Sequence, residues 1–150
     1  MTNIKDLSNL AGRRALITGA TGRLGKVFAD SLAELGSDII LLDLPGSDFA
    51  TLSETLEKRW GVNVEIMPCD LENENQRSEV IEYLTNSGSG LNILVNNAGT
   101  IRRENIADYS LADWDEVVEV NLTAPFILTQ DFGKPMLERG AGKVIFISSL

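Results

Sequence analysis

RRALITGATGRLG, residues 13–25, runs from a compact apolar core into three spaced glycines. Arg13 to Thr18 is predicted as a short strand, because ALI is too compact for a helix and the glycines stop it. Beyond them Leu24, Val27, Phe28, Ser31, Leu32 and Leu35 recur at helical spacing, which predicts a helix with these residues on one face. Gly36 stands where a helix C-terminus wants glycine. A glycine-rich strand-to-helix turn lets the backbone bend tightly and lets an anion approach with no Cβ in the way. The helix N-terminus adds unpaired N–H groups and a favourable dipole. On their own the same glycines fit an ordinary tight turn equally well.

The alternation continues along the chain. Asp38 to Asp43 is a nearly continuous apolar run, as expected of a strand covered on both faces. Phe49, Leu52, Leu56 and Trp60 stripe a second helix, and Val62 to Cys69 alternates as a third strand. A polar third helix buries Val80, Ile81 and Leu84. Leu91 to Val95 is a fourth strand, Leu111 to Glu138 a long helical stretch, and Lys143 to Ser148 a fifth strand. Strands and helices in this rhythm predict a doubly wound α/β fold of the Rossmann type, with five parallel strands and right-handed crossovers. Residues 1–150 are expected to form one nucleotide-binding domain, cut short after strand five.

Composition narrows the chemistry. A net charge of -9 disfavours nucleic acid and anionic membrane surfaces as partners. There is no histidine, so His-ligated metal sites are excluded and no metal is expected. Proton transfer must use Tyr, Lys, Asp, Glu or water. Cys69 is alone, which fits a reducing compartment, and the N-terminus shows no secretory pattern. A cytoplasmic location is the expectation.

Asp43 follows the glycines by roughly 20 residues, at the end of the second strand, where an acid can accept from both adenosine ribose hydroxyls. A solvated strand-end acid is the plainer alternative. A carboxylate there repels a 2′-phosphate, which favours NAD. Arg23, placed beside the phosphates, argues mildly for NADP and keeps that cofactor open.

Further motifs fall at the ends of the later strands: Cys69-Asp70-Leu71 after the third, Asn96-Asn97-Ala98-Gly99 after the fourth, Asn121 in VNL, and ISS at 147–149. With Thr18-Gly19 they resemble, in order and over the whole chain, the short-chain dehydrogenase/reductase family. That resemblance implies nicotinamide-dependent hydride transfer between a secondary alcohol and a ketone. It implies a pyrophosphate turn of Gly19, Thr21, Gly22, Arg23, Leu24 and Gly25, and a ribose clamp at Asp43. Asp70 and Leu71 would meet the adenine, and Asn97, Ala98 and Gly99 the riboses. Ser149 would be the catalytic serine, with Ser148 its structural neighbour. The turn departs from the family's ordinary TGxxxGxG: it reads TGxxGxxG, with Arg23 at the usual second glycine. That spacing resembles the extended branch, which includes sugar-nucleotide enzymes and non-catalytic sensors.

Asn121 also follows from the residues. Trp114, Val117, Val118 and Asn121 lie at helical spacing, which puts an amide on an apolar stripe and predicts its burial. Pro125, four residues on, has no N–H for the Asn121 carbonyl, so the helix is expected to kink there and free that oxygen. In the family this carbonyl holds a water of the proton relay. A satisfied core asparagine is the alternative.

Thr100 to Asn105, TIRREN, resembles the subgroup that acts on gluconate-type sugar acids. Arg102 and Arg103 are then candidate clamps for a substrate carboxylate; pairing with Glu104 or Asp108 is the alternative.

The family's general acid/base tyrosine has a lysine four residues on. Here Tyr83 and Tyr109 are followed at that spacing by Ser87 and Asp113. The 150-residue chain is therefore expected to bind cofactor without turning over, and its fifth strand to be an exposed apolar edge. The rival reading is a dinucleotide-binding module or sensor without catalysis. The helix from Trp114 to Leu137 builds dimers and tetramers in the family, which implies a homo-dimer or homo-tetramer for the complete protein.

Overall fold

The apolar runs become β1 (Arg14–Thr18), β2 (Asp38–Asp43), β3 (Val64–Pro68), β4 (Ile93–Asn96) and β5 (Lys143–Phe146). Between them stand α1 (Arg23–Glu34), α2 (Phe49–Trp60), α3 (Glu74–Asn86), α4 (Leu111–Val118) and α5 (Ala124–Glu138). These elements come from a computed structural model that describes residues 8–88 and 90–148. The five strands make one sheet, all parallel, in the order β3-β2-β1-β4-β5. Among the described residues no helix is long and apolar enough to cross a membrane.

Parallel strands need crossovers, and the helices cover both faces of the sheet. Alternate residues of β1 and β2 therefore reach two cores. Ala15, Ile17, Ile39 and Leu41 pack with Ala29, Ala33 and Leu56 on the α1/α2 side. Leu16, Ile40 and Leu42 pack with Leu84, Leu128 and Phe132 on the α3/α5 side. Ile39, Ile40, Leu41 and Leu42 are each at most 1% exposed, which is why β2 reads as an unbroken apolar run. The caps are equally local. Asp48 accepts from the Thr51 N–H at the start of α2, and Gly61 closes that helix at φ 67°.

One expectation needs correction in part. Phe28 and Leu32 of the predicted α1 face pack against the core, but the fully buried residues of the helix are Gly25, Ala29 and Ala33, while Leu24 and Val27 are 55% and 57% exposed. Small residues win because the helix runs close over the sheet: a Cβ on Gly25 would lie 2.7 Å from the Ala20 Cα and against the Gly19 carbonyl oxygen. The helical stretch after Tyr109 is interrupted around Asn121, where the sequence predicts a kink. A π-helical turn, Glu119–Thr123, separates α4 from α5, and the Ala124 N–H donates to the Glu119 carbonyl five residues back. Pro125 sits at the start of α5, where its missing N–H is tolerated.

β5 forms one edge of the sheet, with Ile145 43% and Phe146 56% exposed, as expected of an apolar edge strand.

Candidate functional site

All five strands point their carboxyl ends to one edge. From β1 the sheet extends through β2 and β3 on one side and through β4 and β5 on the other. The loops after β1 and β4 consequently part company and open a crevice, the place where such sheets bind ligands.

Thr18, the last residue of β1, holds the two lips of that crevice together. Its buried hydroxyl oxygen accepts from the Asn97 N–H at 3.0 Å and the Ala98 N–H at 2.9 Å. Asn97 answers through its side-chain amide, which donates to the Thr18 carbonyl at 2.9 Å and the Gly19 carbonyl at 3.1 Å. Gly19 adopts φ 62°, and a Cβ there would lie 2.9 Å from the Ala98 Cα. Any side chain at Gly19 would therefore push the lips apart.

The far end of the glycine turn is tied to β2. Asp43 Oδ2 accepts from the Thr21 N–H at 2.8 Å and the Thr21 hydroxyl at 2.7 Å, and Oδ1 accepts from the Leu44 N–H at 2.8 Å. A carboxylate offers about four acceptor positions, so these three bonds leave one. Gly22 stands at the N-cap of α1 without a side-chain cap, leaving the first N–H groups of that helix open. Arg23 and Leu24 are exposed beside them.

A cleft of about 310 Å³ lies between these loops. Gly19, Asp43 and Leu44 form its floor and Ala98, Gly99 and Thr100 one flank. The β3–α3 loop (Asp70, Leu71 and Glu72) faces Glu116 of α4 and Val120 of the π-turn. Four carboxylates line the cleft, and no lysine or arginine does. Asp70 is partly spent on its own loop, where Oδ1 accepts from the Glu72 N–H at 3.0 Å. Cys69, at the base, is buried, and burial together with the Asp70 carboxylate pushes its thiol up to about 11.

Asn121 corrects the expected burial. It is exposed, as is Trp114 at the other end of the stripe, while Val117 and Val118 between them are half-buried. The amide is nonetheless fixed: its Oδ1 accepts from the Thr100 N–H and its Nδ2 donates to the Thr100 carbonyl, both at 2.8 Å. This two-point clasp joins the π-turn to the loop after Gly99, whose own Cβ would lie 3.3 Å from Asn121 Oδ1.

In the TIRREN loop the arginines divide. Arg102 pairs with Glu116 and, at 3.7 Å, with Asp113, both on α4; Glu104 and Asp108, the acids expected from the sequence, are not its partners. Arg103 is exposed and makes no ion pair or side-chain hydrogen bond among the described residues. Ser149 lies outside the described residues.

Sequence reasoning missed the Thr18 hydroxyl as the hub of the lips, though its place as the last residue of β1 was signal enough. It also missed Thr100 and Glu116, which nothing in the sequence marks.

A family model for short chain dehydrogenases matches residues 13–150. The chain is 40% identical over 146 residues to a 2-dehydro-3-deoxy-D-gluconate 5-dehydrogenase of Pseudoalteromonas atlantica, covering 95% of this chain and 56% of that protein. It is 34% identical over 141 residues to the 3-oxoacyl-acyl-carrier-protein reductase FabG of Aquifex aeolicus, covering 94% and 57%. In structure it is similar to the L-sorbose reductase of Gluconobacter frateurii complexed with NADPH and L-sorbose. That match has a TM-score of 0.88 at 28% identity and covers 95% of this chain and 54% of that one. The chain thus spans a little over half the length of each of these relatives.

Proposed function

This chain belongs to the short-chain dehydrogenase family, and from that premise we propose that it carries the dinucleotide-binding part of an NAD-dependent oxidoreductase. The reaction is hydride transfer between the nicotinamide and a secondary alcohol or ketone, with a gluconate-type sugar acid as substrate. The observation that carries the reading is the crevice at Gly19, where two close-packed glycines leave a cradle beside an Asp43 carboxylate with acceptor capacity to spare. A Cβ at Gly19 or Gly25 would strike the protein's own backbone, so only glycines allow the tight turn that leads into the uncapped N-terminus of α1, and an uncapped turn of this kind fits a pyrophosphate.

When bound, the cofactor supplies the hydride acceptor or donor; the chain supplies position. The glycine turn from Gly19 through Thr21, Gly22, Arg23 and Leu24 to Gly25, with the open N–H groups of α1, takes the pyrophosphate. Asp43 takes the adenosine ribose. Asp70 and Leu71 meet the adenine, and Asn97, Ala98 and Gly99 support the riboses. Ser149 holds the reacting oxygen of the substrate by hydrogen bond, and the Asn121 backbone carbonyl orders a water for the departing proton. With Arg102 committed to α4, Arg103 is the free cation for a sugar-acid carboxylate.

Asp43, Asp70 and Glu72, which line the adenosine cleft without an ion-pair partner among the described residues, support NAD over NADP, because a 2′-phosphate would enter a field of its own sign; Glu116 is already paired with Arg102. The exposed stripe of α4 supports self-association of the complete protein as a homo-dimer or homo-tetramer.

Calorimetric titration of the purified chain with NAD and NADP tests the cofactor reading. NAD is expected to bind and NADP to bind more weakly; absence of NAD binding refutes the reading. Turnover is not expected, since no Tyr-x-x-x-Lys pair occurs in the 150 residues, and measurable turnover would refute that expectation. For the substrate, R103A is expected to weaken gluconate binding in the presence of NADH far more than binding of a neutral sugar alcohol. Equal losses would remove the carboxylate clamp.

A further inference from the structure

A charged side chain kept nearly out of water has to be held there by its partners, and Arg77 of α3 is 4% exposed. Both ends of its guanidinium fork are used. Nη1 donates to the Leu71 carbonyl oxygen, and Nη2 pairs with Glu119 Oε1 at 2.6 Å. The remaining Nε–H is buried and has no partner among the described residues, so the arrangement is not one that maximises hydrogen bonding. Its two partners belong to two different segments that line one cleft. Leu71 lines it with Asp70 and Glu72 of the β3–α3 loop. Glu119 opens the π-turn, whose next residue, Val120, lines it with Glu116. Arg77 thus ties these two walls of the cleft together, with one prong on each segment.

We propose that Arg77 is a positioning residue that sets the spacing of the adenine slot and thereby the affinity for the adenine end of the cofactor. It touches no ligand itself; it acts through Leu71 and through the Glu119 end of the π-turn. This rests on the dinucleotide reading of the cleft given above. A methionine at 77 would leave the Leu71 carbonyl without its donor and Glu119 without its counter-ion. Replacing both members of the pair by apolar residues removes the stranded charge, and such exchanges are often neutral or stabilising. The double variant R77M/E119L consequently separates folding from positioning.

The test titrates the chain and its variants with NAD and with AMP by calorimetry, next to thermal melts. R77M/E119L is expected to melt close to the wild type while its affinities for AMP and NAD fall by the same factor, roughly tenfold, or about 1.4 kcal/mol. R77K keeps a cation for Glu119 but cannot serve both walls, and an intermediate loss is expected. Should the double variant fail to fold, R77K decides: weaker AMP binding by folded protein supports the slot role, and unchanged binding overturns it. Wild-type affinity in R77M/E119L overturns the proposal, as does a loss for NAD with none for AMP. A wild-type chain that binds neither nucleotide overturns the dinucleotide reading and this role with it.

Discussion

The half of the molecule around β1 and β2 and the half built from α4, the π-turn, α5 and β5 differ in how much apolar surface they leave uncovered. In the first, Leu16, Ile17 and Leu41 are fully buried, and the polar groups at the strand ends bond one another through Thr18, Asn97, Thr21 and Asp43. In the second, Trp114, Leu122, Phe126 and Leu137 are 58%, 66%, 62% and 83% exposed, and α4 buries nothing. The strands of the first have spent their hydrophobic surface internally; the second buries one face of α5, through Leu128 and Phe132, and keeps a further apolar surface available to a partner. A substitution on those strands should therefore be read as folding energy, and one on the exposed stripe of α4 as association.

Leu16→Ala gives the sharpest contrast. It should remove about 2–5 kcal/mol of stability in urea titrations, since the site is closed on every side. A loss below about 1 kcal/mol would mean that the first half is not the closed unit described. Gly25→Ala comes next, at about 1–3 kcal/mol by overpacking against Ala20 and the Gly19 carbonyl. Asp43→Asn should reduce NAD affinity roughly tenfold, about 1.4 kcal/mol, and narrow the gap between NAD and NADP in the same titrations. A variant that still rejects NADP as strongly would place the discrimination with Asp70 and Glu72.

Cys69 supplies a pH-dependent edge to the comparison. Its pKa is raised from 9.0 to about 11, first by burial and then by the Asp70 carboxylate, so folding favours the neutral thiol. The stability tied to that proton is complete below pH 9 and lost as pH climbs through about 11. A disulfide-exchange reagent at pH 8 should leave the native thiol unmodified and label it on unfolding in urea. Fast labelling of the native protein would show the base of the cleft to be open. Smallest in stability is Trp114→Ala, expected within about 0.5 kcal/mol of wild type. Its effect should appear in sedimentation as weaker self-association, and an unchanged sedimentation profile with a large loss of stability would reverse the assignment of the two halves.

Legibility in the sequence follows the same division. β2 was readable to the residue, because a two-sided strand is an unbroken apolar run, and the stripe from Phe49 to Trp60 marked α2. The family-like motifs at the strand ends were readable because each strand end is fixed by its own strand. The face of α1 was read only in part, Phe28 and Leu32 correctly, because periodicity weighs large residues, whereas the close approach at Gly25 is set by small ones. Asn121 was expected to be buried because an apolar stripe looks the same whether its cover is inside the chain or not. Pro125 marked an interruption of the helix, but its π-helical form depends on a one-residue slip in hydrogen bonding, and the Arg77–Glu119 pair, two side chains 42 positions apart, was out of reach.

The bond between Thr21 and Asp43 has a consequence for how a ribose would be received. The carboxylate does not face bulk water awaiting a ligand; a threonine hydroxyl and two backbone amides already hold it in place. Its reorganisation has therefore been completed during folding, and an incoming hydroxyl meets an acceptor whose direction is set. Selectivity at such a position comes less from attraction than from refusal. A ligand oxygen that cannot donate finds a fixed negative charge that has no room to turn aside.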